Sequence, residues 1–154
     1  MMKKTFIVGL CICIFAVSPI SAAAVSFLVI EAGQPEGNAA KQYASAWENG
    51  LLETFFESGH IVSNAPLLRL AEKPTHNFPD EAELDFRLAQ EGGMDYFIVT
   101  IVEHPGFNVS LRLFSTKSRL LIEEYTYTGK TPNTMKKEYE HIKTAVRVMT
   151  AYLR

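Results

Sequence analysis

Cysteine is nearly absent from this 154-residue chain, and the two it has, Cys11 and Cys13, lie close to the amino terminus. The rest can form no internal disulfide and no thiolate metal site. The four histidines, His60, His76, His104 and His141, include no pair spaced as helical metal ligands, and no His-Glu-x-x-His occurs. There is no Gly-x-Ser-x-Gly elbow and no dinucleotide fingerprint. Gly33-Gln34-Pro35-Glu36-Gly37 stands where a phosphate loop would, but it lacks the lysine and carries Glu36. Basic charge is scarce from 31 to 103, where thirteen acids meet four bases. That balance argues against nucleic acid as the partner of the whole domain. No cofactor and no metal is expected.

The amino terminus reads as a secretory signal peptide. Lys3 and Lys4 form a positive start, an apolar run extends from Phe6 to Val17, and Ser18-Pro19 breaks it. Small residues follow at Ser21-Ala22-Ala23-Ala24, placing cleavage after Ala22 or Ala24. The run is short of the ~20 residues of a spanning helix. Cys11 follows Val8-Gly9-Leu10 too early in the run, and without the small residue before it, that lipidation at a cleavage point needs. The expected organisation is a signal peptide over 1–24 and one domain over 25–154, exported to a bacterial periplasm. Without Lys3 and Lys4 the mature net charge is about −4, a matter of solubility and steering rather than fold.

What is present is a β-rich pattern around one stretch, Asp95-Tyr96-Phe97-Ile98-Val99-Thr100-Ile101-Val102-Glu103. Its near-continuous apolar run predicts a central strand covered on both faces. Before it, Val25–Ile30 predicts a first strand, and Asn38, as N-cap, opens a helix reaching about Ser58. Gly50 inside that helix marks a close approach to the sheet. His60–Ser63 predicts a second strand. Residues 64–77 read as an irregular connection in which Leu67-Leu68-Arg69-Leu70 makes one helical turn. Pro79 starts a second helix with Leu84 and Leu88 on its buried face beside Ala82, Phe86 and Ala89. After a turn at Pro105–Asn108, Val109, Leu111 and Leu113 alternate with Ser110 and Arg112, a strand with one wet face. Leu120–Thr128 is a further strand whose register the pattern leaves open. Gly129–Asn133 is a loop. The last helix, about Thr134 to Leu153, carries the stripe Met135, Tyr139, Ile142, Val146, Met149 and Leu153. The fold class expected is mixed α/β (α+β), a five-stranded mixed sheet with elements in the order β-α-β-α-β-β-β-α.

This pattern resembles a known family: the amino-terminal domain of the translocation protein TolB, shared with curli-secretion CsgG-like and penicillin-binding-protein-activator LpoB-like proteins. The likeness rests on the opening strand, on Glu57-Ser58-Gly59-His60-Ile61-Val62, on Gly93-Met94-Asp95-Tyr96-Phe97-Ile98-Val99, and on the meander with its closing helix. The chain lacks the propeller that follows in TolB, a convincing lipid-bearing cysteine, and the long hairpins of a pore. The resemblance implies a fold and a habit of binding envelope partners, not an activity.

Chemistry-bearing residues are few. His76 with Asp80, Glu81, Glu83 and Asp85 reads as a helix start that sets acids against its dipole. Asp95 reads as a residue that caps or solvates the turn after Gly93. Glu103 and His104 end the central strand at the edge where open sheets bind ligands, yet neighbouring strand residues point to opposite faces. Tyr125 and Tyr127 share one face of the last strand, suited either to a partner or to packing beneath the closing helix. Lys136, Lys137, Lys143 and Arg147 form a basic side of that helix, solvated or touching an anionic membrane or acidic partner. The expectation is a non-enzymatic periplasmic interaction module binding an envelope protein, with Tyr125, Tyr127, Glu103 and His104 as candidate partner-binding residues. Self-association through a free sheet edge is a variant of that reading. The alternative is a small hydrolase or sugar-binding protein using Glu103, His104 and Asp95.

Overall fold

The computed structural model describes residues 22–129 and 135–153. The expected signal segment as far as Ser21, and 130–134 between the last strand and the last helix, lie outside the described residues. The elements are β1 (Ala24–Ala32), α1 (Gly37–Glu57), β2 (Ile61–Asn64), β3 (Leu68–Leu70), α2 (Glu83–Glu91), β4 (Tyr96–Glu103), β5 (Asn108–Ser115), β6 (Leu121–Thr128) and α3 (Met135–Thr150). A 3-10 turn over Asp80–Ala82 leads into α2. No described helix is long and apolar enough to cross a membrane.

The strands form one mixed sheet in the order β2-β1-β4-β5-β6, with β3 pairing β1 beyond β2 on the same border. β1 runs parallel to β2, β3 and β4, and β4, β5 and β6 form the antiparallel meander. β4 lies in the middle of this order and is buried from Phe97 to Val102. The apolar run thus does what its composition requires, hiding both faces. Alternate residues serve two cores. Val25, Phe27, Val29, Ile98 and Val102 face Trp47, Leu51 and Phe55 of α1 and Ile142, Val146 and Met149 of α3. Leu28, Ile30, Phe97, Val99 and Ile101 face Phe86 and Ala89 of α2. Each large side chain so withdrawn from water contributes roughly 1.5–3 kcal/mol.

The fold class holds, and the details correct several expectations. Leu68–Leu70 is a sixth strand, not a helical turn, because its backbone completes the border of β1 at Ile30–Ala32. The residue before α1 in the N-cap position is Glu36, not Asn38, and no side chain caps that end. In α2, Ala82, Phe86 and Ala89 turn inward while Leu84 and Leu88 are 60% and 55% exposed. Phe86 decides the phase, packing edge-on against Phe97 and Phe78. Gly50 approaches α3 rather than the sheet: a Cβ there would lie 2.6 Å from Ile142 Cδ1. Ser110 and Arg112 do not make a wet face. Ser110 is buried, and Arg112 is held by Glu124 at 2.8 Å and by the Asn77 carbonyl at 3.2 Å. The register of β6 slips between Leu113 and Phe114 of β5, a bulge that accounts for its broken alternation.

Candidate functional site

Three strands end together where an open sheet has its binding edge. Glu31 near the end of β1, Arg69 of β3 and His104 just after β4 share the face that carries α1 and α3. The Glu31 carboxylate is 2% exposed and accepts from Arg69 Nε at 2.9 Å through Oε2. Its Oε1 lies 3.1 Å from Nε2 of His104, whose side chain is fully enclosed. The His104 ring stands edge-on to Tyr43 and Phe107, and its Nδ1 has no hydrogen-bond partner among the described residues. Tyr43 Oη donates to Glu138 Oε2 at 3.0 Å, and Glu138 is 2% exposed. Burial pushes the Tyr43 phenol up, and the adjacent Glu138 carboxylate pushes in the same direction. Gly33, at a φ of 86°, leaves no room for a side chain, since a Cβ would lie 2.5 Å from the His104 carbonyl oxygen.

Glu103 points to the other face and pairs with Lys73 at 2.6 Å. It does not converge with His104, as strand alternation requires. Asp95 joins strand beginnings rather than capping its turn: Oδ2 accepts from the Ala24 N–H at 3.1 Å and its own N–H donates to the Ala24 carbonyl. Tyr125 and Tyr127 are partly buried against the helix-side core, and Tyr127 stacks on His141 with centroids 4.1 Å apart. Lys136 and Lys137 are exposed. Lys143 lies over the Tyr139 ring at 4.6 Å and near Glu140.

Two surface depressions lie elsewhere on the described residues. One, of about 250 Å³, runs between α2 and the β2 border, lined by Ser26, Ser63, Ala65, Asp85, Leu88 and Met94 among others. The other, of about 310 Å³, lies in the connection before α2, among Glu72, Lys73, His76, Asp80 and Glu81. No group of side chains among the described residues is placed to hold a metal ion.

No family model matches the sequence, and no curated protein matches it. Among solved structures the chain is similar to the PelC dodecamer from Paraburkholderia phytofirmans, at 16% identity and TM-score 0.48, covering 81% of this chain and 87% of that one. It is similar to the LpoB C-terminal domain from Escherichia coli, at 10% identity and TM-score 0.44, covering 75% and 88%. TolB from Acinetobacter baumannii matches at 11% identity and TM-score 0.43, covering 80% of this chain and 27% of TolB. The likeness is one of fold. TolB and LpoB are two of the proteins whose families the sequence pattern resembles.

Sequence reasoning placed Glu103 and His104 at the strand end but missed Glu31, Arg69 and Glu138. Glu31 lies 73 positions from His104, at the end of a strand just before the loop that begins at Gly33. An acid inside the strict apolar spacing of the last helix is the one signal that marks Glu138, which falls one place before Tyr139 of the stripe.

Proposed function

We propose that the chain is an exported periplasmic interaction module without catalytic activity, acting by binding a protein partner of the cell envelope. The observation that carries this reading is that large exposed apolar side chains stand beside both borders of the sheet, in addition to Leu52 and Phe56 on α1. Ile61 lies on β2 at one border of the sheet, and Leu120 and Leu121 lie at the start of β6 at the other. Leu84 and Leu88 stand out from α2. Apolar side chains held in water beside strand borders are the raw material of strand pairing and of partner contact.

The rival hydrolase or sugar-binding reading needs acids converging on a cleft. Here Glu103 is paired with Lys73, Asp95 with the Ala24 N–H, and His104 is enclosed behind Glu31. In the proposed module, Glu103, Tyr125 and Tyr127, each partly exposed, are peripheral contacts, while His104 positions the strand end from within. A peripheral membrane contact through Lys136, Lys137 and Lys143 and self-association through a border belong to the same proposal.

Photo-crosslinking residues placed at Ile61 and at Leu121 of the tagged protein, in its native envelope, test it. Discrete adducts are expected from these borders and none from Lys41, which is exposed on α1. No adducts from either border, or the same adducts from all three positions, would contradict the reading. The mass of the adduct separates a second copy of this chain from a different partner.

A further inference from the structure

The depression between α2 and β2 combines three features that together suit an extended, basic segment. Its acid, Asp85, makes no ion pair or hydrogen bond with any described residue, and burial raises the proton affinity of its carboxyl. Arg87, two residues along, falls on the opposite side of the helix. The walls are apolar at Leu88, Ala89 and Met94, and the hydroxyl-bearing Ser26 and Ser63 line it as well. The border beside it is an unfinished strand. Ile61 and Ala65 donate their N–H groups to the Ala23 and Phe27 carbonyls of the neighbouring chain segment. Backbone alternation therefore turns the peptide groups of Val62 and Asn64 to the open side. Ile61 is 59% exposed and shares its face of the sheet with Ser63.

We propose that this groove receives one lysine or arginine side chain of an extended partner segment that pairs with the open border of β2. The proposal rests on the reading of the chain as an interaction module and names the chemistry of what it binds. The methylene stem lies along Leu88, Ala89 and Met94, and the cationic head reaches Asp85 with the serine hydroxyls as further acceptors. Apolar residues two positions to either side of the base share its face and meet Ile61 and Leu88. Charge complementarity selects this occupant: Asp85 is the one charged side chain among the residues lining the groove, so the groove attracts a basic side chain and repels an acidic one.

The test uses the purified exported protein and a labelled peptide of about seven residues, alternating valine and threonine around a central lysine, with norleucine and glutamate versions as controls. Fluorescence anisotropy is expected to show the lysine peptide binding at least tenfold more tightly than either control. Asp85→Asn is expected to abolish that preference while leaving the protein folded, because burial already opposes the charge it removes. Ile61→Ser is expected to weaken all three peptides, and amide shifts on binding are expected at Val62, Asn64 and Leu88. Equal binding of the lysine and norleucine peptides, no binding of the lysine peptide, or shifts confined to another face would each overturn the proposal. If the peptide fails while envelope crosslinks from Ile61 and Leu121 persist, the groove assignment falls and the module reading stands. Loss of the crosslinks as well removes both.

Discussion

At His60 the Nδ1 atom accepts the N–H of Ala23 at 3.3 Å, a bond that requires a neutral ring, and burial lowers the proton affinity of the imidazole from its ordinary 6.5. The unfolded chain therefore binds this proton more readily than the folded one. The stability that His60 contributes is fully present above about pH 6.5 and is lost as the pH falls toward the depressed folded value. Thermal melts between pH 7.5 and 5.5 are expected to drop by a few degrees more for the native protein than for His60→Asn, whose amide oxygen replaces the acceptor and does not titrate. Equal drops would remove His60 as the cause. Some of this residue-level chemistry was legible in the sequence and some was not. His104 was placed at a strand end, correctly, because strand ends follow from the apolar run. Its partner was not visible, because Glu31 is contributed by another strand and only the parallel register of β1 with β4 brings the two together. The same limit hid Arg69, whose segment was read as a helical turn.

Among the elements, the strands with long apolar runs and the helices with long stripes were readable, and the short ones were not. Three residues of β3 carry no period, so their strand character comes entirely from the border they complete. The nine residues of α2 admit two stripes of equal spacing, and the sheet selects the one that buries the Phe86 ring. On β6 one backbone donor is already satisfied locally: the Glu124 N–H is capped by the Glu123 carboxylate at 2.9 Å. A hydrogen bond from Tyr152, and secondarily the one from the Glu124 N–H, lower the proton affinity of that carboxylate. The junction of α1 and α3 gives the sharpest element-scale expectation. Gly50→Ala gains about 1 kcal/mol of helix propensity but drives a methyl into Ile142, which is 1% exposed. Net destabilisation of about 1–2 kcal/mol is expected by urea melts. Ile142→Val removes the clashing Cδ1, so the double variant is expected to be more stable than the sum of the two single effects. Simple additivity would place the contact elsewhere.

For the whole molecule, the start of β1 bears on where an exported chain is cut. Ala23 is buried, its carbonyl accepts from Ile61, and Ala24 exchanges bonds with Asp95 at the head of β4. Cleavage after Ala22 keeps all of these, whereas cleavage after Ala24 deletes them. Under the proposed export, the intact mass of the processed protein is expected to correspond to Ala23 as first residue, and a mass beginning at Val25 would contradict this. The larger claim is that the molecule works through its borders while the polar cluster at the strand ends is structural. Glu31 and His104 are enclosed while Arg69 is 65% exposed, and replacing the enclosed partners together by apolar residues leaves no uncompensated buried charge. The decisive measurement is crosslinking from Ile61 in the native envelope with the triple variant Glu31→Met, Arg69→Met, His104→Phe, alongside its melting curve. The account predicts a folded protein with undiminished adducts, and a folded protein whose adducts have vanished would contradict it.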